Sequence, residues 1–122
     1  MTTDARAILD AATSEADWQQ TVLHAAHTAG WRCHHQLVPY RRGKDGRVRA
    51  IVEPNTDPGV PDLLLVHPEY GVIHVELKRE SGKLSRDQEE WRDALQAAGA
   101  RWYMWKPSDR ALVWRVLGLP EE

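Results

Sequence analysis

Two short apolar segments separated by a four-residue turn place the strongest constraint on the fold of this chain. The segment DLLLVH covers residues 62–67, VIHVEL covers residues 72–77, and PEYG at residues 68–71 lies between them. Short runs of aliphatic and β-branched residues bounded by proline and glycine are typical of strands. The spacing therefore predicts an antiparallel hairpin whose two strands lie side by side in a buried sheet.

The other elements are predicted from helical periodicity, from serine N-caps and from glycine stops. Ser14 and Ser85 cap two of the predicted helices, which Gly30 and Gly99 end, and Ser85 with Gln88 fits a capping box. The predicted helices are residues 4–12, 14–29, 86–98 and 109–117 (the last capped by Ser108), and the further strands are 31–38, 101–106 and a short 47–52. This order predicts an α/β domain with a central mixed β-sheet flanked by helices.

Length and charge limit the classes of protein that fit. The 122 residues, 42% of them apolar, are enough for one domain with a core, residues 1–122. No apolar run approaches the roughly 18 residues of a membrane span, and the N-terminus has no signal-peptide pattern. The single cysteine, Cys33, forms no internal disulfide, which favours a reducing cytoplasm. A net charge of −2 argues against binding nucleic acid through bulk charge.

The charge is unevenly distributed, however. The segment RRGKDGRVR at residues 41–49 has five basic residues and one acid, and it lies in a long loop predicted at residues 39–59. A local basic patch can contact phosphates on a chain that is slightly acidic overall. A solvated surface loop is the alternative interpretation of this segment.

Three charged side chains are predicted to meet at one end of the hairpin. Glu76 and Lys78 are two residues apart on one strand, so they share a face, with their Cβ atoms about 7 Å apart. Asp62 begins the other strand and, counted back from the turn, lies across from residues 76–78. Two close carboxylates repel unless a cation lies between them, and either a lysine or a divalent metal can serve. A metal, two carboxylates and a lysine are suited to phosphodiester hydrolysis.

These residues resemble the signature of a known nuclease superfamily. Gly59-Val60-Pro61-Asp62, followed fourteen residues later by Glu76-Leu77-Lys78, resembles the PD-(D/E)xK motif. Further positions are similar to the VRR-NUC branch, which itself resembles Holliday-junction resolvases: Glu15-x-x-Trp18-Gln19, Leu84-Ser85-x-x-Gln88-x-x-Trp91 and Gly99-Ala100. The resemblance runs from Ser14 to about Leu117. Residues 1–13 would be an N-terminal extension, and the 39–59 loop is longer than this resemblance leads us to expect.

The resemblance implies a restriction-endonuclease-like fold and a role for each matching position. Asp62 and Glu76 would bind Mg²⁺ or Mn²⁺, with the Leu77 carbonyl as a third ligand, and Lys78 would be the catalytic lysine. Glu15 would reach the metal directly or through water. Gln88 would line the site, a role that conflicts with its use in the capping box.

The function expected is a metal-dependent DNA endonuclease, structure-selective on branched DNA such as Holliday junctions. Candidate DNA contacts are Arg41, Arg42, Lys44, Arg47, Arg49, Lys83 and Arg86. A symmetric junction is most simply cut by a homodimer, and the setting expected is the cytoplasm of a bacterium or of a phage-infected host cell.

Several alternatives stay open at this point. One is a catalytically inactive nuclease-fold module that binds DNA, and another is an interaction protein in which Glu76 and Lys78 form only a surface ion pair. Trp31 or Trp105 is open to stacking on a base, and the other helix and strand tryptophans are expected in the core: Trp18, Trp91, Trp102 and Trp114. His74 shares a face with Glu76 and is open to substrate contact.

Overall fold

The computed structural model describes residues 3–37, 40–51 and 54–120 of the chain. Its elements, in chain order, are α1 (Thr3–Ala12), α2 (Glu15–Thr28), β1 (Arg32–His35), β2 (Tyr40–Arg42), β3 (Val48–Ala50), β4 (Leu63–His67), β5 (Gly71–Leu77), α3 (Arg86–Ala97), β6 (Arg101–Trp105), a 3₁₀ turn (Pro107–Asp109) and α4 (Arg110–Leu117). Among these helices, none has the length and apolar character required to cross a membrane.

Four strands form the central sheet, in the order β1-β4-β5-β6. Strands β4 and β5 are antiparallel, with Leu63 opposite Val75 and His67 opposite Gly71, so the predicted hairpin is confirmed. Strand β1 adds antiparallel to β4, whereas β6 adds parallel to β5. The sheet is therefore mixed and is flanked by helices, which confirms the predicted α/β class and is consistent with a restriction-endonuclease-like fold.

The core lies where α2 and α4 meet the sheet. Alternate residues of β4 and β5 are buried there, namely Leu63, Leu65, Ile73, Val75 and Leu77, together with Val22, Val113 and Leu117 from the helices. Two buried indoles form hydrogen bonds to backbone carbonyl oxygens of other elements. The Trp18 indole nitrogen donates to the Trp105 carbonyl oxygen at 3.0 Å, and that of Trp31 donates to the Leu117 carbonyl oxygen at 3.0 Å.

The tryptophans differ from expectation in which ones are buried. Trp31 and Trp105 are 2% and 0% exposed, so the idea that either one stacks on a base is wrong. Of the four expected in the core, only Trp18 is fully buried. The apolar residues of α3 are not fully buried either: Trp91 and Leu95 are half-buried, and no residue of this helix is completely buried. Instead, the indole nitrogen of Trp91 donates to the Asp57 carbonyl oxygen at 3.2 Å.

The segment expected as a long loop contains a second, separate two-stranded sheet. Strand β3 corresponds to the short strand expected at residues 47–52, while β2 was not expected and pairs with it antiparallel. The sequence did not predict this pairing, because only one of the two strands shows a clear alternation of apolar and polar residues. The turn between them is rich in glycine and in charged residues. Residues 38, 39, 52 and 53, which include the predicted ends of the first strand, of the loop and of the short strand, lie outside the described residues, as do residues 1 and 2.

Helix caps agree with the sequence at two of three positions. The side-chain oxygens of Ser14 and Ser85 accept from backbone N–H groups in the first turns of α2 and α3. Ser108 does not cap the last helix. It lies in the 3₁₀ turn, where its backbone nitrogen and hydroxyl both donate to the Glu80 carboxylate, at 3.1 and 2.5 Å.

Replacing Trp18 with phenylalanine should destabilise the protein, because the Trp105 carbonyl loses a buried donor and a space opens beside it. We expect the free energy of unfolding to fall by about 1–3 kcal/mol, measured by urea denaturation. Trp102→Phe is the matched control, since the Trp102 indole nitrogen is buried without a hydrogen-bond partner among the described residues. Equal losses in the two variants would contradict the role of the hydrogen bond.

Candidate active site

The structure brings Asp62, Glu76 and Lys78 together at one end of the central sheet. Because Leu63 lies opposite Val75, Asp62 falls level with Glu76. The Asp62 Oδ2 atom accepts from the backbone nitrogen of Leu77 at 2.9 Å, and this bond holds the carboxylate beside β5. The backbone nitrogen of Lys78 donates to the Trp105 carbonyl oxygen at 3.1 Å, which extends the pairing with β6 one residue past the end of β5.

Glu76 is the unusual group of this site because its carboxyl is buried. The residue is 2% exposed, and one oxygen, Oε2, has no hydrogen-bond partner in the part of the chain that the structure describes. Burial, and after it the close Asp62 carboxyl, raise the pKa of Glu76 to about 9, while Lys78 acts in the opposite direction. A buried carboxylate is costly unless a cation or a proton compensates its charge.

Gln88 holds the second oxygen of Glu76 and also caps its own helix. Its Nε2 atom donates to Glu76 Oε1 at 3.1 Å, while its Oε1 atom accepts from the Ser85 backbone nitrogen at 2.9 Å. The expectation that the two roles conflict was wrong, since an amide has a donor at one atom and an acceptor at the other. The capping box therefore orients the donor that contacts the buried carboxyl.

Glu15 lies at the first position of α2, near the same group of charges. Burial raises the pKa of this carboxyl, and the Asp62 charge raises it further, whereas Lys78 and Arg79 lower it. The charges of Asp62 and Lys78 therefore act on Glu15, while its contact with a metal stays a prediction. The helix begins there because Ser14 caps it, accepting from the Asp17 backbone nitrogen at 3.0 Å.

Gly59 and Trp91 position the chain that leads into Asp62, a role that the motif alone did not reveal. Gly59 has φ +96°, and a Cβ atom built on it would lie 2.5 Å from the carbonyl carbon of Asp87. The loop therefore approaches the first turn of α3 more closely than any other residue allows. With the hydrogen bond from Trp91 to Asp57, this contact places Asp62 and Gln88 relative to each other.

Gly82 fits closely against the side chain of Lys78. The backbone nitrogen of Gly82 donates to the Arg79 carbonyl oxygen at 2.8 Å, which closes a tight turn after β5. A Cβ atom on Gly82 would lie 3.1 Å from Cβ of Lys78 and 3.3 Å from its Cδ. The turn covers the aliphatic stem of the lysine. The sequence RESGK indicated a turn here, but no sequence signal indicated its contact with Lys78.

The seven basic residues predicted to contact DNA divide into two groups. Arg42, Arg49 and Arg86 have partners in the protein, respectively the Gly46 carbonyl oxygen at 2.9 Å, Asp45 at 2.6 Å and Glu90 at 3.4 Å. Among the described residues, the side chains of the other four have no hydrogen bond or ion pair: Arg41, Lys44, Arg47 and Lys83. The second group is therefore free to contact an anionic partner without breaking an internal bond.

The geometry fits a hard divalent cation held partly by water. Within residues 3–37, 40–51 and 54–120, no three His, Cys, Asp or Glu side chains lie close enough to form a complete metal site. Mg²⁺ characteristically binds one or two carboxylates and fills its remaining positions with water and substrate oxygens. The unpartnered oxygen of Glu76 and the adjacent Asp62 are such a pair, and the charge of Asp62 also acts on Glu15.

Comparison with known proteins agrees with this geometry. A family model described as VRR-NUC domain matches residues 13–107. The chain belongs to the VRR-NUC family. It is therefore a nuclease domain of the PD-(D/E)xK type, a class that typically depends on a divalent metal. The match includes Glu15, Asp62, Glu76, Lys78 and Gln88. No curated protein and no solved structure matched the chain.

Gly59→Ala should disturb the VRR-NUC site through a steric clash. We expect the free energy of unfolding to fall by about 2 kcal/mol or more, since backbone strain adds to the clash with α3. DNA cleavage should fall with it, because Asp62 and Gln88 move apart. Gly99→Ala is the control: its φ is +83° but nothing lies within 4 Å of the added Cβ. It should cost only about 1 kcal/mol. Equal effects would argue against the contact with Asp87.

The raised pKa of Glu76 predicts that stability falls as pH rises in metal-free protein. Between the ordinary value of 4.5 and about 9, the folded state holds a proton that the unfolded state has lost. The free energy of unfolding should therefore fall by up to about 1.4 kcal/mol per pH unit. Urea denaturation in EDTA from pH 5 to 9 measures this slope.

Glu76→Gln should remove most of that slope and raise stability at pH 8, since the neutral amide keeps the bond from Gln88. Glu90→Gln, at an exposed glutamate, is the control and should keep the slope. A wild-type protein that is as stable at pH 8 as at pH 5 would show that Glu76 is not held protonated.

Proposed function

We propose that this VRR-NUC protein is a metal-dependent DNA endonuclease that hydrolyses phosphodiester bonds, with a preference for branched DNA such as Holliday junctions. The observation that carries the proposal is the buried Glu76 carboxyl beside Asp62, with one oxygen unpartnered among the described residues. One oxygen of the Glu76 carboxyl accepts from the neutral amide of Gln88, and the other has no hydrogen-bond partner among the described residues. An external cation is suited to compensate the charge of this carboxylate. Lys78, at the end of the same strand, supplies a positive group beside it.

Asp62 and Glu76 would hold Mg²⁺ or Mn²⁺, with the Leu77 carbonyl and Glu15 as further ligands. When bound, the cation supplies Lewis acidity, which lowers the pKa of water and neutralises charge on a phosphoryl oxygen. Gln88 keeps Glu76 oriented, since its amide nitrogen already donates to Oε1. This arrangement leaves Oε2 without a hydrogen-bond partner among the described residues.

Lys78 would orient the attacking water and stabilise the negative charge that develops on the phosphate. Water adds to phosphorus, the bond to one bridging oxygen breaks and that oxygen gains a proton, so the products are a phosphate end and a hydroxyl end. The ammonium is prepositioned because the turn closed by Gly82 packs on its stem. Such preorganised charge is where most of the rate acceleration is expected to arise.

The substrate and the assembly rest on the family likeness and on charge. Free cations at Arg41, Lys44, Arg47 and Lys83 support contact with the DNA backbone. Candidates for contact with DNA also include Arg42, Arg49 and Arg86. Each would either keep its hydrogen bond or ion pair within the protein or give it up for a phosphate. A homodimer would match the two-fold symmetry of a four-way junction, and the setting proposed is the cytoplasm of a bacterium or of a phage-infected host cell.

Cleavage of a labelled DNA panel tests the proposal. Four-way junction, flap, single strand and plain duplex are incubated with Mg²⁺, Mn²⁺ or EDTA. We expect metal-dependent cutting, fastest on the junction, that Lys78→Ala slows by about 100- to 1,000-fold, because the developing charge loses its donor. Lys83→Ala is the matched control and should weaken binding while leaving the rate at saturating DNA unchanged.

The alternative outcomes separate the possible functions. DNA binding without cutting in either metal would contradict the endonuclease and support the catalytically inactive binding module. Equal rates for Lys78→Ala and wild type would exclude the proposed role of the lysine. Equal cutting of all four substrates would retain the nuclease and remove the preference for branched DNA.

A further inference from the structure

The small sheet formed by β2 and β3 follows, in the chain, a residue that contacts the candidate active site. We call residues 40–50, which contain both strands and their turn, the basic arm. Every residue of the two strands is exposed, so the core does not cover the arm. Its root is at the site, because the backbone nitrogen of Gln36, four residues before β2, donates to the Asp62 carbonyl oxygen at 2.7 Å.

The tip of the basic arm has a defined shape even though no core supports it. Gly43 donates through its backbone nitrogen to the Arg47 carbonyl oxygen at 2.8 Å, and Gly46 donates to the Gly43 carbonyl oxygen at 3.0 Å. Gly46 has φ +80°, the conformation that this turn requires. Asp45 accepts from the Arg47 backbone nitrogen at 3.0 Å. The arm is therefore ordered before any partner binds.

Two of the five cations in the arm maintain this shape. Arg42 donates to the Gly46 carbonyl oxygen, and Arg49 forms a bidentate pair with Asp45, at 3.1 and 2.6 Å. Arg49 lies directly opposite Arg41 in the ladder, so Asp45 also reduces the repulsion between those two guanidinium groups. The side chains of Arg41, Lys44 and Arg47 have no hydrogen-bond or ion-pair partner among the described residues.

An exposed two-stranded ribbon is marginally stable by itself in water. A polyanion that covers the three unpaired cations would stabilise such a ribbon. The major groove of DNA, about 12 Å wide and 8.5 Å deep, admits a two-stranded ribbon, and phosphates line both of its edges. Single-stranded DNA is usually bound by aromatic platforms, and the arm has only one aromatic residue, Tyr40.

We propose that the basic arm lies in a groove of double-stranded DNA next to the cut site, with Arg41, Lys44 and Arg47 on phosphates and Arg42 and Arg49 holding the shape of the ribbon. This inference rests on the proposed nuclease function and specifies its substrate. From Gln36 to Lys44 the chain spans at most about 29 Å. One turn of duplex is about 34 Å, so the arm requires duplex within one turn of the cut phosphate.

Salt-dependent binding tests the arm without relying on catalysis. Affinity for a 20-base-pair duplex is measured in EDTA, in an Asp62→Asn background, over a range of salt concentrations. Each lost phosphate contact lowers the slope of log K against log salt by about 0.9. For Arg41→Gln, Lys44→Gln and Arg47→Gln combined, we therefore expect a slope lower by about 2.7 and an affinity about tenfold weaker or more. Arg6→Gln with Arg32→Gln, at exposed arginines outside the arm, should change neither value.

A second variant separates shape from charge. Asp45→Ala adds one net positive charge but removes the acceptor that holds Arg47 and Arg49, so we expect weaker binding to duplex. Tighter binding by this variant would show that charge alone matters and would overturn the groove model. An unchanged slope in the triple variant, or a loss limited to single-stranded DNA, would overturn it as well. Far-ultraviolet circular dichroism confirms that each variant is folded.

The binding experiment on the basic arm and the cleavage experiment on the nuclease can fail independently of each other. A wild-type protein that binds duplex through the arm but cuts no DNA in Mn²⁺ would contradict the proposed function and leave the arm standing. A protein that cuts DNA, with a triple variant that binds as tightly as wild type, would leave the nuclease standing and remove the arm.

Discussion

The rest of the site depends on the burial of the Glu76 carboxyl beside Asp62. Taking one carboxylate out of water next to another is unfavourable, and the fold offers only partial compensation, through the Gln88 amide and the nearby Lys78. Because this cost is only partly compensated in the central strand β5, a cation that bound here would stabilise the folded protein. The same burial excludes bulk water, so charges in the site interact more strongly than charges on the surface do.

The surrounding elements act as supports that keep this pair in place. The Trp105 carbonyl oxygen accepts from both the Trp18 indole and the Lys78 backbone, so the helix that carries Glu15 and the strand end that carries the lysine share one anchor. On the other side, Gly59 and Trp91 attach the Asp62 loop to α3, which also carries Gln88. Backbone contacts of helices and strands thus fix the position of the charged groups, which favours a rigid site.

Much of the architecture was predictable because local rules decide it. The PEYG turn sets the register of β4 and β5, and that register alone places Asp62 level with Glu76. Serine caps set the starts of α2 and α3. Predictions failed where a long-range contact decides the outcome: Trp91 of α3 is only half-buried, Ser108 donates to Glu80 instead of capping α4, and Trp31 and Trp105 are buried.

The sequence by itself determined the family, the order of the elements apart from β2 and the 3₁₀ turn, and which carboxylates and lysine meet, since strand periodicity and turn length are properties of neighbouring residues. Only the tertiary structure decided that Glu76 is buried, that Gln88 serves a helix cap and a carboxyl at once, and that the basic segment is a shaped arm instead of a loop. Those features depend on the distance between residues far apart in the chain, such as Gly59 and Asp87. The sequence gives the type of each charged side chain, but packing decides its local dielectric and its partners, and these determine its pKa and its chemistry.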